Sequence, residues 1–153
     1  RFQVLGEGRG VTVVDDFGHN PAKVTASLRA AHLRVAATGG RVLAVFQPHG
    51  FGPLKFLRAD FVETFATEVA PKDRLWFLEV FYAGGTAAKD ICSGDVVAEI
   101  AARGVAAEVA ATREALIEAL AGAAQPGDLV LIMGARDPSL TDLARRVLAR
   151  LRM

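Results

Sequence analysis

Cysteine is almost missing from this chain. Cys92 stands alone among 153 residues, which excludes an internal disulfide framework and a cysteine-based zinc cluster and makes a cytoplasmic setting the default expectation. An excess of one charge is missing too. Lys and Arg number 18 against 17 Asp and Glu, and a net charge of +1 gives no general drive toward nucleic acid or an anionic membrane, so neither is expected as a partner. The one basic concentration, Arg145, Arg146, Arg150 and Arg152, falls in the last turns of a predicted helix, where cations suit the helix dipole and face solvent. No apolar run is long enough to span a bilayer, and no charged segment followed by an apolar core opens the chain. A Gly-x-x-x-x-Gly-Lys-[Ser/Thr] phosphate loop is also missing, so nucleotide hydrolysis by this chain alone is not expected. Gly6, Gly8 and Gly10 mimic a dinucleotide fingerprint but precede the first predicted strand and open no helix, which excludes that reading. The chain starts at Arg1 without an initiator Met, and we expect it to have been cut from a longer protein, with residues 1–10 an interdomain linker and 11–153 the domain proper.

What is present is a core. Fifty-two per cent of residues are hydrophobic and 23% charged, the balance of a packed domain. Val11 to Asp15 is a β-branched run, followed by Asn20-Pro21, a helix cap and first turn, and a helix to about Thr38 that stops at Gly39-Gly40. Strands are predicted over Arg41 to Phe46, Arg74 to Phe81, Ala106 to Ala110 and Leu129 to Met133. Helices are predicted over Lys55 to Val69, from a Ser93 cap to Arg103, over Thr112 to Ala123 and over Leu140 to Leu151. This alternation predicts an α/β domain with a Rossmann-like, mostly parallel sheet and helices on both faces. In such sheets ligands bind beyond the carboxyl ends of the strands.

The residues at those ends are rich in chemistry. The first strand runs into Asp15-Asp16-Phe17-Gly18-His19-Asn20-Pro21, two carboxylates and an imidazole at a helix start, a turn suited to a nucleotide's ribose or a ligand ammonium. Asp15 is equally readable as a local Asx-turn residue, and His19 as a brace of the turn. The later strands run into Gln47-Pro48-His49-Gly50-Phe51-Gly52-Pro53, then Phe81-Tyr82-Ala83-Gly84-Gly85-Thr86, then Gly134-Ala135-Arg136-Asp137-Pro138-Ser139. Tyr82 could stack on a ligand or complete the core edge. Arg136 could meet an anion at a helix start or pair with Asp137 or Asp142. His32, inside the first helix, reads as an ordinary helix residue, and the three histidines show no metal-ligand spacing.

The ordered set Asp15-Asp-Phe-Gly-His-Asn-Pro21, Val45-Phe-Gln-Pro-His49, Glu79-Val-Phe-Tyr82 and Asp128-Leu-Val-Leu-Ile-Met-Gly134 resembles the C-terminal domain of the Mur ligase family, most closely its alanine-adding branch, over essentially the whole chain. The resemblance implies a three-domain cytoplasmic ligase of peptidoglycan precursor synthesis. Its N-terminal and central domains would lie in the same protein, and the central one would bind most of the ATP and Mg. The carboxylate of a UDP-N-acetylmuramate-type sugar nucleotide is activated as an acyl phosphate, and an amino-acid acceptor attacks it. No catalytic residue and no metal ligand is then expected in this domain alone. It further implies nucleotide contacts from Arg1 and Asp16, and substrate contacts from His19, Asn20, His49, Lys55, Tyr82 and Arg136.

Departures from the family pattern are specific. The alanine-adding enzymes carry His-Arg-Phe-Thr-Arg-Thr after Gln-Pro, and those arginines hold the incoming amino acid; this chain has His49-Gly50-Phe51-Gly52-Pro53-Leu54, with Lys55 as a partial substitute. Asn20 replaces the second histidine of His-His-Pro, and Ala135-Arg136-Asp137-Pro138 replaces Ala-Gly-Asn/Asp-Ile-Gly. A paralogue with another acceptor is therefore the expected variant of this reading. From a different class, a signalling receiver would share the acidic pair Asp15-Asp16, but it needs an aspartate near Val80-Phe81-Tyr82 and a lysine near Gly134-Ala135-Arg136, and has neither.

Overall fold

The computed structural model describes residues 2–82, 90–134 and 138–153. Six strands form one sheet: β1 (Gln3–Gly8), β2 (Val11–Asp15), β3 (Val42–Gln47), β4 (Arg74–Phe77), β5 (Ala107–Val109) and β6 (Leu129–Gly134). Their order is β1-β2-β6-β3-β4-β5, and every pairing is parallel except that of β1 with β2. The helices are α1 (Pro21–Ala36), α2 (Phe51–Phe56), α3 (Arg58–Glu68), α4 (Ser93–Ala102), α5 (Arg113–Ala123) and α6 (Pro138–Leu151).

The apolar runs of the inner strands are continuous because both sheet faces are covered. Alternate side chains divide them between two cores. Val42, Ala44 and Phe46 of β3, Leu75 and Phe77 of β4, and Leu129, Leu131 and Met133 of β6 face α1, α3 and α4. Leu43 and Val45, Trp76, and Val130 and Ile132 face α5 and α6. The first core closes on an aromatic cluster in which Phe46 lies 5.2 Å from Phe61, 5.5 Å from Phe65 and 5.2 Å from Phe77. The chain crosses the sheet one way through β3, β4 and β5 with its helices on one face. It then returns to β6 through α5 on the other, as right-handed crossovers require.

Several elements differ from the sequence expectation. Residues 3–8, read as linker, form the antiparallel edge strand β1, whose left-handed Arg9 (φ 54°) and Gly10 (φ 75°) make the tight reversal into β2. Residues 51–56 form the short helix α2, with Pro53 in its first turn, where its missing N–H costs no bond. β4 stops at Phe77 instead of Phe81. The Leu78 carbonyl is taken by the Ser93 hydroxyl at 2.7 Å and that of Glu79 by the Gln47 amide at 3.2 Å, so side chains replace the ladder. With Ser93 buried in that role, the N-cap of α4 is Cys92, in a reciprocal capping box with Asp95. His32 is more than a plain helix residue: its Nε2 lies 2.6 Å from the buried carboxylate of Asp73, which also accepts from the Val42 and Ala70 amides.

At the amino end of the sheet, Gly40 sits where a Cβ would come within 1.9 Å of the Gly127 carbonyl oxygen, so only glycine fits. Beside it the buried Asp128 accepts from the Arg41 amide at 2.8 Å, the Arg41 guanidinium at 2.8 Å and the Gln125 amide at 2.8 Å. Burial opposes its ionisation, but these donors outweigh burial and hold the carboxyl below its ordinary value. We predict that Asp128→Ala costs about 3 kcal/mol by urea denaturation, because it strands a partly buried guanidinium and two amides. The folded-state pKa lies below the unfolded value of about 3.9. The unfolded chain therefore takes up the proton first, so the carboxylate's contribution is complete above that value and is lost as pH falls through the folded one. Stability should accordingly decline less steeply below about pH 4 in Asp128→Asn than in the unsubstituted protein; parallel declines would show that Asp128 is not the group responsible.

Candidate functional site

Because β2, β6, β3 and β4 run parallel, the segments that follow them gather on one rim. Both residues of the acidic pair, Asp15 closing β2 and Asp16 following it, are buried. Asp15 accepts a 2.8 Å bond from the Thr141 hydroxyl and ties β2 to α6. Asp16 makes the Asx turn, its Oδ1 accepting from the Gly18 amide at 2.9 Å, while its own amide donates to Ile132 and extends the β2–β6 ladder by one bond. The difference follows from the pleat: Asp15 is the last strand residue and points into the α6 face, whereas Asp16 is the first to leave it.

His19 is exposed, and its Nδ1 donates to the Phe17 carbonyl at 3.1 Å, which leaves Nε2 of the neutral ring as an acceptor. Asn20 caps α1, with Oδ1 accepting from the Lys23 amide at 2.9 Å. The turn is set close to the helix by Gly18, where a Cβ would approach the Ser27 hydroxyl to 2.9 Å.

The second loop is braced from the third. His49 pairs in a parallel bridge with Phe81, through Gly50 N to Phe81 O at 2.9 Å and Phe81 N to Pro48 O at 2.8 Å, and the two rings stack at 5.3 Å. Gln47, at the end of β3, accepts from Arg113 at 3.1 Å. Arg113 also donates to the Ser139 carbonyl at 3.0 Å, so one guanidinium joins the starts of α5 and α6 to the Gln-Pro-His segment.

Together these elements enclose an open cleft of about 930 Å³. Asp16 and His19 line it from the β2 loop, His49 from the β3 loop, and Lys23, Ala26, Ser27 and Ala30 from α1, with Phe2 and Phe17 as aromatic walls. The size is that of a small-molecule site. Of the residues expected from sequence, Asp16, His19 and His49 meet here. Asn20 adjoins the cleft through its cap. Lys55 is on α2, paired with Asp90 at 2.5 Å, which lowers that carboxyl's pKa, and Tyr82 packs its ring 5.3 Å from Phe51; neither lines the cleft. Arg1 and Arg136 lie outside the described residues.

The α1 stripe lies outside the strand-end motifs that the sequence singles out. Its signal was available: Lys23, Ala26, Ser27 and Ala30 recur at helical spacing and are small apart from the first, immediately after the acidic turn. Among the described residues no three of His, Cys, Asp and Glu converge as metal ligands, and no helix is long and apolar enough to cross a membrane.

Comparison with known proteins identifies the family. Residues 1–136 match the family model described as Mur ligase, glutamate ligase domain. The chain belongs to the Mur ligase family. The UDP-N-acetylmuramate--L-alanine ligase of Acidothermus cellulolyticus is 38% identical over 135 residues, covering 88% of this chain and 27% of the relative. That of Streptomyces griseus is 37% identical over 153 residues, covering 99% and 31%. The chain thus spans less than a third of the length of the curated relatives it matches. Among solved structures, the murein peptide ligase of Psychrobacter arcticus superimposes with a TM-score of 0.75 at 19% identity, over 98% of this chain and 29% of that one. A domain assigned to a UDP-N-acetylmuramate:L-alanyl-gamma-D-glutamyl-diaminopimelate ligase of Haemophilus ducreyi gives 0.68 at 24%, over 99% of both chains. The folylpolyglutamate/dihydrofolate synthase of Yersinia pestis, solved with AMPPNP and a Mn ion, gives 0.59 at 20%, over 100% of this chain and 31% of that one. At these identities the structures establish a shared fold, the mostly parallel α/β sheet of Mur ligase C-terminal domains.

The Arg113 bridge is testable in this domain. Arg113→Met should destabilise by about 1–3 kcal/mol through the loss of its charged bonds. It should also raise amide hydrogen exchange at residues 49–51 above that in the β6 core; unchanged exchange there would mean that the bridge does not hold the rim.

Proposed function

We propose that this chain is the acceptor-binding C-terminal domain of a Mur-type ligase, closing over a reacting centre carried mainly by the other domains of the same protein. The full protein would join an amino acid or peptide to a UDP-N-acetylmuramate-type carboxylate in peptidoglycan precursor synthesis, in the cytoplasm. The observation that carries this reading is the rim cleft, where Asp16, His19 and His49 converge from two loops beside α1 in a Mur ligase domain.

The residues present fit part of the expected ligand set. The Asp16 carboxylate, oriented by the Gly18 amide, is an acceptor of the kind that suits a hydroxyl or ammonium, and the His19 Nε2 lone pair can accept from an amine. ATP, where bound, supplies the phosphoryl group that activates the sugar carboxylate. Asp16 and Arg1 are the residues of this chain we assign to the nucleotide. Magnesium is assigned to the central domain on the family resemblance alone. The chain's own task is to position the acceptor and exclude water as it closes.

Two measurements test this. The 153-residue chain alone should show no ATP turnover; robust hydrolysis that disappears in Asp16→Asn would overturn the reading. The full-length protein should form an amide in the presence of ATP, UDP-N-acetylmuramate and an acceptor. Because Gly50 and Pro53 stand where the alanine-adding enzymes have arginines, its kcat/KM for L-alanine should fall below that for another acceptor in a panel. Gly50 is also held at φ 85°, a conformation that disfavours an arginine there. A clear preference for L-alanine would contradict the specificity argument while leaving the ligase reading intact.

A further inference from the structure

The cleft has one formal cation among its described lining residues, Lys23. Most other basic side chains are occupied: Arg29 with Glu68, Arg41 with Asp128, Lys55 with Asp90, Arg58 with Glu99 and Arg150 with Glu118. Lys23 contributes its backbone to the structure, its amide to the Asn20 cap and its carbonyl to the Ser27 hydroxyl, while its ammonium makes no hydrogen bond or ion pair with a described residue. It lies one turn before Ala26 and Ser27, so the small side chains of α1 leave its stem room along the cleft wall. Asp16, the carboxylate in the same cleft, is buried and committed through Oδ1 to the Gly18 amide.

We infer that Lys23 is a specificity-determining residue that receives the carboxylate of the acceptor, with the apolar wall of Phe17, Ala26 and Ala30 taking its side chain. This rests on the ligase reading above and names the chemistry of its acceptor, an α-amino acid or peptide with a free carboxylate and an apolar flank. An ammonium offers a point charge where an arginine would offer a bidentate fork, so acceptor binding depends on charge more than on planar geometry. It is also sensitive to salt, because the group is solvated.

The test uses the full-length ligase with a panel of L-amino acids and their carboxamides. Lys23→Gln should raise acceptor KM about ten- to a hundredfold, the usual effect of losing a charge-assisted bond, with kcat and the KM for ATP little changed. It should abolish the preference for acid over carboxamide, and Lys23→Arg should restore it. An unchanged acceptor KM in Lys23→Gln, an unchanged acid preference, or a rise in the ATP KM instead would overturn the assignment. If the unsubstituted protein forms no amide with any acceptor, the ligase reading fails, and the cleft is then judged on this chain alone by titration with L-valine and L-valinamide, following the His19 and His49 ring resonances. Shifts produced by valine only, and lost in Lys23→Gln, would support a carboxylate site; equal shifts or none would overturn it.

Discussion

The rim depends on where β6 lies. The last strand enters between β2 and β3, pairing with β2 from Leu129 to Ile132 and with β3 from Leu129 to Gly134, so it is hydrogen-bonded on both sides and buried on both faces. Two strand spacings, about 10 Å, therefore separate the acidic turn after β2 from the Gln-Pro-His segment after β3. That gap is the cleft's width. Gly134 ends β6 at φ 151°, and a Cβ there would meet Leu140 Cδ1 at 2.6 Å and the Gln47 carbonyl at 3.0 Å. A side chain on this last strand residue would collide with both the start of α6 and the end of β3. A crevice where the strand order reverses is the expected ligand position in an open parallel sheet, and here the reversal is β6 itself.

The buried strands and the longer helices were legible in the sequence, and the reasons are physical. Val42 to Phe46 and Leu129 to Met133 are apolar without alternation because each face of the sheet has its own helices, and α6 repeats its apolar residues at 140, 143, 147 and 151 against the second core. Elements lacking such a pattern were missed. β1 carries Gly6, Glu7 and Gly8 and is an edge strand with mostly exposed side chains, so it has no apolar face to reveal it. α2 opens with Phe51-Gly52-Pro53, residues that mark a turn by type, and it is held by one buried side chain, Leu54. Cys92 takes the capping position expected of Ser93 because the Leu78 carbonyl, remote in sequence, claims the serine hydroxyl.

The site was legible to a similar degree. Motif residues Asp16, His19 and His49 come together because they follow β2 and β3, the parallel strands on either side of β6, at the end of the sheet where α1 begins. Lys55 and Tyr82 belong to the same motifs but do not reach the cleft: on α2, Lys55 pairs with Asp90, and Phe51 packs against Tyr82. The helix that sequence did not reveal thus decides which motif residues reach the cleft.

The two ends of the sheet use carboxylates for different purposes. At the amino end, Asp73 and Asp128 each satisfy two backbone amides and one side chain across distant segments, the arrangement that keeps a buried charge from destabilising its surroundings. At the carboxyl end, Asp15 accepts from the Thr141 hydroxyl, and Asp16 accepts from the Gly18 amide within the turn. The amino end thus ties distant segments of the fold together, whereas the carboxyl end orients the turn that lines the cleft. The same asymmetry governs the cations: Arg41 is locked onto Asp128 at one end, while Lys23 stands in the cleft at the other.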